Sequence, residues 1–418
     1  MAPFGSQTDF SDAIAQVGQA GRQLTAAGAD VQSQLLDTMA TYLHDSQDQI
    51  LEANTLDLEA SLDMAVPELV LDWLKLTPER LQTACKILHR LGSLGDPRVL
   101  TPQPISRLTQ AMSGYSQVVP LGVVALIYEA FPELAAIMAG LCIRTGNGLI
   151  LKGGNEASQT TQVILQALYA ALEQADLPET CILSLTENEG DAARQWLLQD
   201  QGVDLVIPYG RPNLVQQVVR QAAIPVLPTA MGNTYLYWSA SGSSETVSTM
   251  VIDSHRGEPD AINAIEKVLI HQSLSPSSIL RLCHSLWEKG FQLLADSALG
   301  ADILDLQVAD PKDWSRPFLS RTVALRQVTD AQMAATLVNS DGSHHAVSIV
   351  TESYSESNQF TQLVDSAVVY INTSPRFVRN SAQASAIALG MTEQRGRCSG
   401  FIGLNALLTT QHVLQGLA

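Results

Sequence analysis

The feature that most constrains this fold is the regular alternation of short apolar strands with helices beyond residue 118. Residues 123–128, 148–151, 181–185 and 203–207 form short apolar runs, and segments with helical spacing separate them. Such alternation is typical of a parallel sheet that is covered by helices on both faces. Right-handed crossovers between the strands then give a doubly wound α/β domain.

Two further regions complete the predicted organisation. Residues 9–90 have helical spacing, and Thr77, which precedes Pro78, is a predicted helix N-cap. A second, smaller set of strands and helices follows residue 257. We therefore predict a helical layer with a doubly wound domain over 1–256 and a smaller α/β domain over 257–383. The last strand predicted in the first set is 224–227.

Composition and charge exclude several classes of function. A formal net charge of −18 makes nucleic-acid backbones and anionic membrane surfaces unfavourable partners. The five cysteines form no CxxC pair, which favours free thiols in a reducing compartment. Because the first residues lack the apolar run of a signal peptide, we expect a cytoplasmic protein. We expect no metal site, because His344 and His345 are adjacent on a stretch that we predict to be extended, where they would point to opposite faces.

One predicted strand-to-helix turn has residues suited to a nucleotide. Gly153 and Gly154 would let the backbone approach a ligand, and Lys152 could reach an anion or a ribose. The helix that follows would offer free N–H groups. A purely structural corner is the alternative, because no GxGxxG or Walker pattern accompanies this turn.

Eight segments, in order along nearly the whole chain, carry a family resemblance. They are 71–81, 120–130, 141–157, 205–208, 224–226, 263–269, 369–377 and 400–407. With these segments the chain strongly resembles the γ-glutamyl phosphate reductases, also called glutamate-5-semialdehyde dehydrogenases, of the aldehyde dehydrogenase superfamily. The resemblance implies that fold, with a nucleotide-binding-type domain over 1–256, to which 384–418 return, a catalytic-type domain over 257–383 and an oligomerisation arm. It also implies reduction of L-glutamyl 5-phosphate with NADPH through a cysteine thiolate, the second step of proline synthesis.

The chain departs from the family where the resemblance places the chemistry. The position of the catalytic cysteine is occupied by Ile262, beside a matching Asn263. An isoleucine cannot form a thioester, because its side chain has no lone pair. Further departures are Phe131 and Glu133 (for Arg and Asn), Tyr209 and Arg211 (in Ile-Pro-Arg-Gly-Gly), Tyr235 (in Gly-x-Cys-His), Glu258 (for a basic residue) and the stretch 382–387, ending at Ile387, which lacks the family's glycines and glutamate.

These departures lead us to expect a protein that has lost the reductase chemistry and serves a binding, regulatory or assembly role. An active reductase with another nucleophile is the alternative, and Cys398 is the thiol that could enter the cleft. A small-molecule sensor that keeps only the nucleotide cleft is a third hypothesis.

The resemblance also implies a cofactor and a partner. The cofactor would be NADP, although the bulk of Tyr209, Arg211 and Tyr235 predicts weak binding or none. The partner would be a second copy, paired through an arm at 105–118 in which Ile105, Leu108 and Met112 are apolar. We therefore expect a dimer, with a surface loop as the alternative for this segment. The residues expected to contact the cofactor are Lys152, Gly153, Gly154, Glu156, Pro208, Gly210 and Gly232.

Overall fold

The computed structural model of the chain divides into two compact units. The first comprises Met1–Thr229, Arg379–Leu389 and Ile402–Ala418, and the second comprises Ala230–Val378 and Gly390–Phe401. The predicted division after residue 256 lies within the second unit, and the roles assigned to the two domains remain predictions. The structure describes residues 7–99, 103–109, 112–185, 190–256, 260–302, 306–381, 387–393 and 400–416. Across these ranges, no helix combines the length and apolar character needed to cross a membrane.

The first unit begins with the predicted helical layer. Leu35, Met39 and Leu43 are buried on one face of its first helix. Thr77 Oγ1 accepts a hydrogen bond from the backbone N–H of Arg80 at 3.3 Å, so the predicted N-cap is confirmed. The layer consists of α1 (Gln7–Asp45), α2 (Gln47–Asp63), α3 (Glu68–Leu74) and α4 (Pro78–Ser93).

A four-stranded parallel sheet forms the core of the first unit. Its strand order is β5-β4-β3-β6, so the chain leaves β3 in one direction for β4 and β5 and in the other for β6. The predicted doubly wound arrangement is thereby confirmed. The elements, in chain order, are β1 (Gln103–Thr109), β2 (Met112–Pro120), β3 (Val123–Tyr128), α5 (Leu134–Thr145), β4 (Gly148–Lys152), α6 (Ser158–Gln174), β5 (Ile182–Ser184), α7 (Gly190–Gln199), β6 (Leu205–Tyr209) and α8 (Pro212–Gln221).

The strand predicted at 224–227 is wrong. Only an isolated bridge joins Val226 to Val206 of β6. Val206 donates to the carbonyl of Pro225 at 2.9 Å and accepts from the N–H of Leu227 at 2.8 Å. Pro225 and Pro228 have no N–H to continue the ladder, so the pairing ends after one bridge.

The second unit is built on a seven-stranded parallel sheet of order β10-β9-β11-β8-β7-β12-β13. No strand or helix is predicted for the residues of β7 and α9, although all five residues of β7 are buried. Both of its tyrosine hydroxyls have internal partners: Tyr235 donates to the carbonyl of Trp314 at 2.7 Å, and Tyr237 donates to the Glu356 carboxylate at 3.1 Å. The elements are β7 (Thr234–Trp238), α9 (Ser244–Ser254), β8 (Ile265–His271), α10 (Pro276–Trp287), β9 (Gln292–Ala295), α11 (Ser297–Asp302), β10 (Gln307–Val308), β11 (Thr322–Val328), α12 (Ala331–Asp341), β12 (Ala346–Val350), α13 (Tyr354–Leu363), β13 (Val368–Ile371), β14 (Met391–Thr392) and β15 (Gly400–Phe401).

The predicted arm is extended, as expected, and belongs to a three-stranded antiparallel sheet. The last strand, β16 (Leu408–Gly416), pairs with β2 along its whole length, and β1 pairs with the other edge of β2. The side chains of Ile105, Leu108 and Met112 lie outside the described residues. The partner of this arm remains a prediction.

Candidate functional site

The position that the resemblance gives to the nucleophile lies in a tight turn before β8. The N–H of Ala264 donates to the carbonyl of Ala261 at 2.8 Å, which places Ile262 and Asn263 at the centre of the turn. The Ile262 side chain is 1% exposed. The N–H of Gly232 donates to the Ile262 carbonyl at 2.9 Å, and this hydrogen bond stabilises the backbone of the turn.

A buried histidine fixes the same carbonyl. His345 Nε2 lies 3.1 Å from the Ile262 oxygen, and His345 Nδ1 lies 2.8 Å from Ser343 Oγ. Burial lowers the pKa of His345 to about 4, so the ring is neutral at pH 7. Because a carbonyl only accepts, Nε2 carries the proton and Nδ1 accepts from the Ser343 hydroxyl.

The two adjacent histidines have different partners. His344 Nδ1 lies 3.1 Å from the carbonyl oxygen of Asp365, whereas His345 contacts the turn. The predicted extended conformation is wrong at His344, whose φ of 54° is left-handed. Within the described part of the chain, no group of three or more His, Cys, Asp or Glu side chains could hold a metal ion.

A buried carboxylate positions the backbone beside this turn. Glu266 accepts the N–H groups of Asn233, Phe318 and Leu319 at 2.8, 2.9 and 2.9 Å. Lys267 Nζ lies 3.3 Å from Glu266 and 2.9 Å from a second acceptor, the carbonyl of Arg316. Burial lowers the pKa of Lys267, and the charge of Glu266 opposes that shift. The Glu266–Lys267 pair therefore stabilises the backbone at Asn233, Phe318 and Leu319.

Gly232 is required by the same packing. Its φ is 67°, and a Cβ there would lie 2.8 Å from Pro317 Cβ. Gly232 thus lies in the turn region of the second unit with Ile262. The cofactor contact predicted for it remains a prediction.

Asn263 is held by its amide nitrogen. Nδ2 donates to the carbonyl of Pro375 at 2.8 Å and to the hydroxyl of Tyr370 at 3.3 Å. Its Oδ1 is buried and has no partner among the described residues. Glu258, Cys398 and positions 382–386 of the departing stretch lie outside the described residues, whereas Ile387 is described and 2% exposed.

The described cysteines are poor nucleophiles. All four are buried, and burial raises the pKa of Cys85, Cys181 and Cys283 to about 11. Burial raises the pKa of Cys142 as well. Because the thiolate is the reactive form, these side chains are inert at neutral pH.

Three predicted cofactor residues line one cavity in the first unit. Lys152, Gly153 and Gly154 lie along a cavity of about 650 Å³, bordered by α6 and β5. A Cβ on Gly154 would lie 2.2 Å from Glu156 Oε1, so a larger residue would collide with that carboxylate. The cavity is large enough for a nucleoside.

The free N–H groups predicted at the start of α6 are not free. The backbone N–H groups of Gln159 and Thr160 donate to the Asp57 carboxylate at 3.1 and 2.8 Å, and the Thr160 hydroxyl donates to it at 2.6 Å. Asp57 lies on α2 and is 3% exposed. The prediction is wrong because a carboxylate from the helical layer already occupies this helix start.

The remaining predicted cofactor residues do not line this cavity. Glu156 Oε1 accepts the N–H of Ala130 at 2.6 Å, and burial raises the pKa of this carboxyl. Pro208, in β6, accepts the Thr229 hydroxyl at 2.7 Å. Gly210 follows β6 with a φ of 149°, and a Cβ there would lie 2.5 Å from Glu129 Cγ.

Two of the departures, Phe131 after β3 and Tyr209 at the end of β6, pack against one another. The Phe131 ring stacks on Trp73 at 5.0 Å and meets the edge of Tyr209 at 5.5 Å. Glu133 is paired with Arg80, whose Nε lies 3.0 Å from the Glu133 carboxylate. These side chains form part of the buried interior and do not extend into solvent.

Sequence reasoning did not find Asp57, Glu129, Glu266 or the contact of His345 with the turn. Each acts on a residue that lies far away in the sequence. The separation between His345 and Ile262, for example, is 83 residues, and no local pattern signals such a contact.

Known proteins resemble the chain over its whole length. The aldehyde dehydrogenase family matches residues 2–248. "Gamma-glutamyl phosphate reductase 2" of Synechocystis sp. is 44% identical over 94% of each chain. "Gamma-glutamyl phosphate reductase" of Gloeobacter violaceus is 33% identical over 94% of this chain and 93% of the other. The crystal structure of gamma-glutamyl phosphate reductase from Thermotoga maritima superposes with a TM-score of 0.89 at 26% identity, over 98% of both chains.

Proposed function

Because this chain belongs to the aldehyde dehydrogenase family and, within it, to the γ-glutamyl phosphate reductases, we propose that it has the function of that group. The proposed reaction is the NADPH-dependent reduction of L-glutamyl 5-phosphate to glutamate 5-semialdehyde in proline synthesis. The observation that supports it most strongly is the 44% identity, over 94% of both chains, to a relative that bears this name.

The cavity beside Lys152 supports a nucleotide cofactor. Lys152, Gly153 and Gly154 would hold the adenosine half, since this cavity has room for a nucleoside and a cation at its border. NADPH would supply the hydride. Lys152 is the residue proposed to contact the ribose or its phosphate.

The proposed reaction needs a thiolate, and the described residues do not provide one. Ile262 has no nucleophilic atom, and the four described cysteines are buried thiols with raised pKa values. An active enzyme must therefore use Cys398 or a different acyl acceptor.

A specific observation, Ile262 in the turn before β8, favours a second candidate function. In this candidate the chain retains the fold and serves a binding, regulatory or assembly role without reductase chemistry. Ile262 is almost fully buried and its carbonyl is held by Gly232 and His345, so the turn is well formed although the nucleophile is missing.

One assay separates the two candidates. Purified protein is supplied with glutamate 5-semialdehyde, NADP and inorganic phosphate, which accepts the acyl group, and the appearance of NADPH is followed in the wild type, Cys398→Ala and the matched control Cys283→Ala. Turnover that is lost only in Cys398→Ala supports the reductase. No turnover in the wild type supports the second candidate, in which Ile262→Cys alone does not restore activity because Phe131, Glu258 and Ile387 also depart from the family.

We also propose that the protein is a cytoplasmic homodimer. The extended three-stranded sheet formed by β1, β2 and β16 supports an assembly role, because the outer edges of β1 and β16 can pair with another sheet.

A further inference from the structure

The carboxyl ends of β3 and β6 mark the point where the strand order of the first sheet reverses. β3 ends at Tyr128 and β6 ends at Tyr209, and these two residues are register neighbours. In open parallel sheets, ligands bind in the crevice outside the strand ends at such a reversal. The residues that follow these two strands therefore determine what can enter.

An ion pair joins the two strand ends across this crevice. Glu129, directly after β3, faces Arg211, two residues after β6. Arg211 Nε lies 3.1 and 3.2 Å from the two carboxylate oxygens, and Nη2 lies 3.0 Å from one of them. The backbone N–H of Arg211 also donates to Glu129. The Glu129 carboxylate thus accepts hydrogen bonds from both the guanidinium and the main-chain N–H of Arg211.

Arg211 is one of the departures from the family motif. In the family motif Ile-Pro-Arg-Gly-Gly, the residue matching Arg211 is glycine, which has no side chain to bind Glu129. A second carboxylate, Glu156, lies close enough to Glu129 that their repulsion contributes to the raised pKa of Glu156. Arg211 is therefore the cation that balances two acidic groups at this crevice.

We propose that the Glu129 carboxylate competes with the diphosphate of a dinucleotide for Arg211, so that this ion pair sets the affinity for the cofactor. This inference rests on the proposed function in taking a dinucleotide as the ligand. The Lys152 cavity accepts the adenosine half, whereas the diphosphate must displace Glu129 from Arg211. Removal of the carboxylate then strengthens binding, and removal of the guanidinium weakens it.

The test measures dissociation constants by isothermal titration calorimetry, with NADPH and with inorganic pyrophosphate as separate ligands. The variants are Glu129→Gln, Glu129→Ala and Arg211→Ala. Asp37→Asn, which removes the charge of an exposed carboxylate that contacts His89, is the matched control. We expect about fivefold tighter binding in both Glu129 variants and about fivefold weaker binding in Arg211→Ala. Circular dichroism melts confirm that each variant is folded.

The outcomes separate this inference from the proposed function. If neither the wild type nor any variant binds NADPH, but the dissociation constants for pyrophosphate follow the expected order, the inference holds and the proposed cofactor is wrong. Affinities within twofold of wild type in both Glu129 variants, for both ligands, overturn the inference. Equal gains in the Glu129 and Arg211 variants also overturn it, since the pair would then act only as a steric barrier.

Discussion

His345 Nε2 lies 3.1 Å from the carbonyl oxygen of Ile262, and this contact joins β12 to the turn before β8. The side chain at position 262 contributes nothing to the contact, because only the backbone oxygen accepts. The turn can therefore keep its shape whether residue 262 is a cysteine or an isoleucine.

The burial of His345 predicts a loss of stability in acid. Its pKa is lowered to about 4 in the folded protein from an ordinary value near 6.5, so the unfolded state binds more protons between these values. The contribution of His345 to the free energy of unfolding is therefore fully present above about pH 6.5 and is lost as the pH drops towards 4. We expect the free energy of unfolding to fall by about 2 kcal/mol between pH 7 and pH 5 from this group.

Urea titrations at both pH values measure the effect. His345→Gln should reduce the difference in the free energy of unfolding between pH 7 and pH 5, whereas His344→Gln should leave this difference close to that of the wild type. An unchanged pH dependence in His345→Gln would contradict the assignment.

The Glu266 carboxylate should matter more for stability than its lysine partner. Glu266→Ala leaves three backbone N–H groups without their acceptor and Lys267 without its counter-charge, which predicts a loss of about 3–5 kcal/mol. Lys267→Met leaves Glu266 with its three N–H donors and should cost less. Denaturant unfolding measures the free energy of unfolding of both variants. A larger loss in Lys267→Met than in Glu266→Ala would refute the expected order.

Thiol titration tests the account of the cysteines. Four cysteines are buried thiols with raised pKa values, so native protein should expose at most one thiol to a disulfide reagent at pH 7.5 within minutes. The unfolded protein should expose all five. Cys398→Ser should abolish any rapid native reaction, and rapid labelling that persists in this variant would show that a described cysteine is reactive.

The arm predicts a measurable assembly. Light scattering at micromolar concentration should give the mass of a dimer, and deletion of residues 103–118 should give a monomer. A shorter deletion of 103–109, which removes β1 and keeps the pairing of β2 with β16, is the control for misfolding. A monomer mass for the intact chain would refute the proposal.

Much of the fold could be predicted because buried strands and helix starts leave patterns in contiguous stretches of the sequence. The strand at 123–128 is an uninterrupted apolar run, and the helix after Thr77 begins with an N-cap and a proline. The candidate site could not be predicted in the same way. Glu129 and Arg211 are 82 residues apart, and their pairing depends on the sheet order that brings two strand ends together.

The contact of Asp57 with the start of α6 joins the helical layer to the sheet. Asn54, one turn earlier on α2, reinforces it by donating to the Thr160 hydroxyl at 3.3 Å and to the carbonyl of Leu74 at 3.0 Å. Opening α2 would therefore expose the first amides of α6 at the same moment. In hydrogen-exchange terms, the layer and the sheet should form one cooperative unit, so a chain shortened at its amino end would lose the cavity beside Lys152 together with the helices.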